Sequence, residues 1–541
     1  MEQKSNPLKG VDHKEKYDAT LPADFETAIE AAGFGLFNIL LLFVAVFAAG
    51  ATVFETSTMS YILPSAECDL RLSLLDKGIL NAITYAGMIT SAIAWGYLAD
   101  TKGRKKILVF GYLADGICVI GGALSQNVIQ LMIFKYFGGF VACGPFAVLM
   151  SYLTELHGKK NRNRIMLLIG MKFTVASLTL PVLALSILPN VWDIKIVGLT
   201  FHSWQVFLAV TSIPSFLSGS ILALFPESPK FLMSQGRNKE ALDAFKTIYA
   251  INKHKPRESY PIKLLVEEVP DKDTKSFANP ETGATVEISL ENVKQSRRSS
   301  ASQAFRQGLQ QLRPLFVKPF LRLSLQVYLM NFCILLGQNT VRLWLPQLFA
   351  SITELELKST GATSMCDILE YSVNKTEIMK SHDEFSTCEV VITAESYTNN
   401  IIVALCGLGG YLIAGSLVNA IGGKWILSIA LTIAGTCGIS LYWSSSALAI
   451  LISSSLFVTM GSISSTSVIS ASVNLFPTSL RTMIVSLTMM CGRTGSLLGN
   501  ILFPTLMALG CIPPFLMISS VMISACILSL FLPNTKKIAL K

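Results

Sequence analysis

The sequence predicts an all-α integral membrane protein with about twelve transmembrane helices arranged as two six-helix halves. Three observations predict it. Of 541 residues, 51% are hydrophobic and only 15% charged, whereas soluble domains carry about a quarter charged residues; mean hydropathy is +0.52. Apolar runs long enough to cross ~30 Å of hydrocarbon recur along the chain. Basic residues gather in alternate connections between those runs, the pattern that fixes which loops stay in the cytosol.

The first segment, residues 1–34, is polar and lacks a short apolar core beside a cleavage site, so the first span is expected to act as a signal anchor. Phe25, Ile29 and Phe34 fall near helical spacing there, which predicts an amphipathic segment with these three on one face. The first six-helix bundle, 35–226, is expected to hold spans at 35–62, 78–99, 106–126, 128–155, 165–188 and 204–225. A central loop follows at 227–319, with an amphipathic helix from Asn238 to Tyr249 and a polar, disordered stretch. The second bundle, 320–533, holds spans at 321–346, 399–420, 424–445, 447–474, 481–508 and 512–533, and a tail occupies 534–541.

Under strict alternation, Lys102 to Lys106, Lys159 to Arg164, the central loop, Lys424, Arg481, Lys536 and Lys537 share one side. That side is read as cytosolic, with both termini there. The net charge of +9 is accounted for by these loops and calls for no nucleic acid. The eleven cysteines show no metal-type spacing, and HExxH, GxSxG and Walker-type loops are missing from the sequence. No enzyme activity, metal or cofactor is therefore expected.

The connection between the second and third spans reads Gly96-x-x-x-Asp100-x-x-Gly103-Arg104-Lys105. It resembles the loop at the same place in the major facilitator transporters. The resemblance implies two homologous halves around a substrate site near the bilayer midplane. Weaker echoes lie in the second half, at Gly415…Asn419…Gly422-Gly423-Lys424 and at Asn474…Arg481 against Tyr152…Glu155…Arg162. A cytosolic gate is expected from Gly96, Asp100, Gly103, Arg104, Glu155, Arg162, Glu227 and Arg481. Pro226-Glu227-Ser228-Pro229 is similar to an element of sugar porters and organic ion transporters. Leu63-Pro64-Ser65-Ala66-Glu67, Phe201-His202-Ser203-Trp204 and Gly33-Phe34-Gly35 carry a resemblance to the synaptic vesicle glycoprotein 2-like branch. That branch implies a multi-pass protein of the plasma membrane or of intracellular vesicles.

The loop 347–398 is acidic and is expected on the opposite side. It contains Cys366 and Cys388, expected to pair with each other in an oxidising compartment, and the glycosylation sequon Asn374-Lys375-Thr376. In the central loop, Arg297-Arg298-Ser299-Ser300 makes Ser300 a phosphorylation candidate, with an unmodified basic run as the alternative.

Charge inside a span is costly and faces a cavity or a partner. Asp115 and Lys135 are read as intramembrane pairing residues, and Arg342, near the end of its span, as snorkelling to the border. Glu55, Lys172 and Arg493 are read as substrate or coupling residues, with Phe173, Tyr85 and Trp344 as aromatic candidates for the same cavity. Positive charge from Lys172 and Arg493, with Glu55 as counter-ion or proton carrier, favours an organic anion or zwitterion. A salt-bridge cluster without ligand contact is the alternative. The expected function is secondary active or facilitative transport of a small organic solute across the lipid bilayer, with protons as a candidate coupling ion. A non-transporting receptor or scaffold on the same fold is one rival. A sugar porter, suggested by Asn331, Gln338 and Asn339, is the other.

Overall fold

A computed structural model describes residues 22–266, 313–358, 364–381, 393–477 and 480–533, apart from 191, 193, 197, 198 and 319. The side chains of Asp100, residues 160–172, 376–380, Asn419 and Thr482 are among those outside it.

The chain folds as helices joined by short turns. The N-terminal amphipathic helix α1 is Phe25–Ala32. The first half continues with α2 Leu36–Ala66, α3 Leu74–Lys102, α4 Arg104–Ala123, α5 Val128–Glu155 and α6 Lys159–Ile187. A hairpin of β1 Ile194–Ile196 and β2 Leu199–Phe201 leads to α7 Ser203–Thr211 and α8 Ile213–Leu222. Together they make up one expected span, interrupted at Ser212 because Pro214 at the second position of α8 cannot supply a ladder donor. Short helices α9 Pro229–Ser234 and α10 Asn238–Lys253 follow. The second half comprises α11 Leu321–Lys358, α12 Met365–Ser381, α13 Ala394–Ile421, α14 Gly423–Trp443, α15 Ala447–Leu475, α16 Arg481–Met507 and α17 Ile512–Leu530.

Among the described residues, nine helical spans are long and apolar enough to cross a membrane. Helices α11 and α16 match two more expected spans, with Arg342 and Arg493 interrupting their apolar character, and the apolar part of α6 runs from Phe173 to Ile187. Alternation puts Lys102, Lys106 and Lys424 at one end of the molecule, called the basic face, and α12 at the other, called the loop face. Each half is built on a buried core, one around Tyr112, Leu149 and Tyr152 and one around Trp344, Phe457 and Phe515, with Leu343 and Leu74 reaching into the core of the opposite half.

On the basic face, α1 and α10 make a belt. Asp24 caps α1 by accepting from the Thr27 amide at 3.0 Å. Gly33, at φ +72°, ends the helix in a conformation that suits glycine. That break turns Phe34 to solvent, whereas Phe25 and Ile29 are buried. The expected three-residue face thus loses its last member. Asn252 of α10 knots the belt to α2, donating to Gly33 O at 2.8 Å and Asn38 Oδ1 at 3.0 Å while accepting from the Phe37 amide at 3.0 Å. The buried face of α10 is Ala241, Ala244, Phe245 and Ile248. Leu242 and Tyr249 sit at its margin.

The expected Cys366–Cys388 bridge is corrected: Cys366 is bonded to Cys511, with Cα atoms 5.3 Å apart. Helix α12 does not hang in its own loop. Its first amide, Met365 N, donates to Ser444 O at 3.1 Å, and Ile368 and Leu369 enter the second-half core. This seats Cys366 over the turn between α16 and α17, where Cys511 lies. Cys68 is also disulfide-bonded. Cys388 and Ser300 lie outside the described residues.

Candidate functional site

Two helices of the second half direct stripes at the first half, Leu335, Asn339 and Arg342 of α11 and Met489, Arg493 and Ser496 of α16, and α15 adds Ser465. Positions four and seven residues apart share one helix face. The first half answers with Thr52 and Thr56 of α2, Tyr85 of α3, Phe146 of α5, and Phe173 and Ser177 of α6. Together they line an open cavity of about 250 Å³ between the halves.

Two guanidinium groups lie on its wall. Arg342 donates from Nη1 to Ser57 Oγ at 2.9 Å and from Nε to Asn339 Oδ1 at 3.2 Å. Arg493 donates from Nη1 to Cys143 Sγ at 3.1 Å, and its guanidinium carbon lies 5.8 Å from the Phe146 ring centroid. Asn339 is held in turn by donating to Ser496 Oγ at 2.7 Å. Among the described residues, neither arginine forms an ion pair with a carboxylate. The snorkelling role expected for Arg342 is corrected. Its guanidinium lines the cavity between the halves and donates to Ser57 of the first half.

Two other assignments change. Trp344 is fully buried in the second-half core against Phe503, with ring centroids 5.2 Å apart, because it lies off the 335/339/342 stripe. Glu55 faces away from the cavity. Its Oε2 lies 2.8 Å from Lys135 Nζ, which also donates to Glu55 O at 3.0 Å, and both side chains are buried. The pairing partner of Lys135 is therefore Glu55. Asp115, buried nearby, accepts instead from Ser215 Oγ at 2.6 Å. The side chain of Lys172 lies outside the described residues; its chain neighbour Phe173 lines the cavity.

At the basic face, Glu227 accepts from the amides of Arg104, Lys105 and Ser228, each at 2.9 Å. An acid is favoured there because it meets the unpaired amides at the positive end of α4. Gly103, at φ +99°, makes the approach possible; a Cβ on it would collide with the Glu227 carboxylate. Arg104 reaches Glu155 at 3.5 Å, donates to Ala99 O at 2.9 Å and lies over the Phe231 ring. Ser228 donates to Glu155 and caps α9. All of these groups belong to the first half and the segment that follows it. Gly96 was expected to admit a neighbouring helix, but a Cβ there would meet nothing within 4 Å. Arg481 does not join the cluster; among the described residues its Nε is buried without an acceptor. The side chains of Asp100 and Arg162 lie outside the described residues.

Residues 36–367 match the family model for the Major Facilitator Superfamily. The chain belongs to that superfamily. Within it, the chain is 31% identical over 234 residues to synaptic vesicle glycoprotein 2B of Rattus norvegicus, covering 43% of this chain and 34% of that protein. It is 28% identical over 246 residues to synaptic vesicle glycoprotein 2A of Homo sapiens, covering 45% of this chain and 33% of that protein. The matched stretch spans about a third of the length of these relatives. In three dimensions it is similar to the partially occluded inward open conformation of the xylose transporter XylE from E. coli, with a TM-score of 0.60 and 16% identity over 92% of this chain and 100% of that one. A D-xylose-proton symporter gives a TM-score of 0.59 at 16% identity, covering 92% of this chain and 98% of that one. At this identity the likeness shows the major facilitator fold.

The loop face of this major facilitator holds a charged cluster that sequence reasoning missed. Glu67 of the turn after α2 pairs with Lys77 of α3 at 2.8 Å. Lys375 of α12 lies 3.9 Å from Glu67 and 2.8 Å from Glu354 of α11. Lys358 and the Tyr371 hydroxyl also reach Glu354, at 3.0 and 2.8 Å. Burial pushes the Glu354 carboxyl up, but hydrogen bonds from Lys375, Tyr371 and Lys358 and the Lys375 charge outweigh it and hold it below the usual range. Burial pulls the Lys375 ammonium down, and the charges of Glu67 and Glu354 more than offset that. The available signal was the Glu354/Lys358 spacing of four, which marks helix continuing past the expected end of the span. Asn374 lies next to Lys375 on α12 and is exposed.

Proposed function

We propose that this protein moves a small organic anion across a membrane by alternating access, with Arg342 and Arg493 holding the anionic group. The observation that carries this reading is the two guanidinium groups on one cavity wall without a carboxylate partner among the described residues. A cation inside a bilayer-spanning fold needs compensation. A carboxylate-type ligand supplies it through short, paired hydrogen bonds. Asn339 and Ser57 pre-orient Arg342 for that contact. Membership of the superfamily supports transport by rocking of two bodies, taken here as residues 35–226 and 320–533. The positive-inside rule supports a cytosolic basic face and a luminal or extracellular loop face, with Asn374 available to a glycan. The names of the matched relatives support a vesicle or plasma-membrane residence.

Glu55 stays a proton-carrier candidate, paired with Lys135 rather than with the cavity arginines. A neutral polyol is the second reading, supported by the hydroxyl and amide groups of Thr52, Thr56, Ser177, Asn339 and Ser465 on the wall.

The test is uptake by proteoliposomes offered organic anions, zwitterions and neutral sugars. Arg342→Gln and Arg493→Gln should each lower anion uptake by about tenfold or more, the loss of a charged hydrogen bond of about 1.5–3 kcal/mol. Neutral sugar uptake that both variants leave intact would favour the second reading. Absence of any uptake would favour the non-transporting rival. Glu55→Gln should abolish stimulation by a pH gradient; stimulation equal to wild type removes its proton role.

A further inference from the structure

Helix α12 is fixed to the second half in four independent ways. Cys366 is bonded to Cys511, Met365 N donates to Ser444 O, and Ile368 and Leu369 lie in the second-half core. Ser372 Oγ also donates to Ser351 Oγ at 3.1 Å. Toward the first half, the polar contact of α12 among the described residues is Lys375 with Glu67. At 3.9 Å it is the longer of the two lysine contacts, against 2.8 Å to Glu354. Glu67 has its own tight partner in Lys77, at 2.8 Å.

This asymmetry has a consequence for opening. If the halves part at the loop face, Lys375 leaves with Glu354 and Glu67 stays with Lys77. Neither carboxylate is stranded without a cation, so the joint can break without burying an unpaired acid.

We propose that α12 is a gate carried by the second half, and that Lys375 is its latch on the first half through Glu67. The proposal rests on the alternating-access reading above. It adds that opening at the loop face breaks Lys375–Glu67 and keeps Lys375–Glu354 and Cys366–Cys511. Asn374 is exposed beside the inward Lys375, so a glycan there would ride on the outer side of the gate.

The test uses the full chain in proteoliposomes with its free cysteines replaced, its disulfide cysteines kept, and Ser177→Cys as a reporter in the cavity. A membrane-impermeant maleimide is applied from the loop face. Lys375→Met should raise the labelling rate several-fold, and Lys375→Arg should leave it near the parent value. If Lys375→Met does not fold, Lys375→Gln, which keeps a polar side chain but removes the charge that reaches Glu67, is read the same way. A parent that labels measurably, with a variant at the parent rate, overturns the latch. A parent labelled from the basic face but never from the loop face, with the solutes it takes up present, overturns the alternating-access reading instead.

Discussion

The two faces of this molecule use similar charged side chains for opposite ends. At the loop face, Lys375 bridges Glu67 of the first half and Glu354 of the second, and the Tyr397 hydroxyl reaches Tyr61 O across the same divide at 3.5 Å. At the basic face, Glu227, Arg104, Glu155 and Ser228 bind one another within one half. Among the described residues, the hydrogen bonds and ion pairs that join the halves lie at mid-height or toward the loop face. They are Arg493 with Cys143, Arg342 with Ser57, Asn81 with Leu343, Tyr397 with Tyr61, and Lys375 with Glu67. A charge cluster at a helix end is thus a brace when its members share a body, and a gate when they straddle two. Sequence motifs name the residue types but do not say which bodies they join.

The comparison can be broken most forcefully at the brace. Glu227→Ala strands amides at the start of α4, at about 1–3 kcal/mol for each one left without an acceptor. The melting temperature in detergent should fall substantially, while labelling from the loop face stays at the parent rate. Gly103→Ala forces a side chain into a backbone region that costs about 1–3 kcal/mol and pushes on Glu227. It should weaken the same brace with the same indifference at the loop face. Altered labelling at the loop face by either variant would mean that the basic cluster couples the halves after all.

The loop face should respond to pH in a defined direction. The folded Glu354 carboxyl is held below its unfolded value, so its contribution is complete above the ordinary carboxylate pKa of about 4.3 and is lost as pH falls through the lowered value. Lys375 is held above its unfolded value, so its contribution is complete below about 10.4 and is lost only as pH rises past that. Glu67, Lys77, Lys358 and Tyr371 face the same cluster. The stability that this cluster contributes, read as the melting temperature in detergent, should therefore be flat through neutral and mildly acidic pH and fall in stronger acid. The smallest effect is expected at the belt. Asp24→Ala removes an exposed helix cap and should cost about 0.5–1 kcal/mol, read as faster proteolysis near α1 with solute uptake unchanged.

The helices were legible because lipid-length apolar runs and basic loops are local signals. Their ends were less so. Hydropathy reads where the apolar run stops, while α11 runs on as helix to Lys358. What sets Arg342 apart from a border residue is its direction, toward the cavity and Ser57. Partners were the least legible. Glu55 and Lys135 are 80 positions apart and Cys366 and Cys511 145 apart, and only the packing of whole helices brings such residues together. Nothing near Lys135 in sequence distinguishes Glu55 from Asp115 as its acid. Tyr85, an aromatic inside a span, and Phe173, at an aromatic position of the resembled family, line the cavity, whereas Trp344, also an aromatic inside a span, faces the core. Trp344 lies two positions past Arg342, about 200° around the helix and so on the opposite face.

The account turns on the two faces moving in opposite senses, and paired distances test that most directly. Spin labels at Leu75→Cys and Leu357→Cys report the loop face, and labels at Tyr97→Cys and Ile421→Cys report the basic face; all four positions are exposed. When a transported solute is added, the account predicts that any population with a longer loop-face distance has a shorter basic-face distance. Two distances that stay fixed, or that lengthen together, would contradict it.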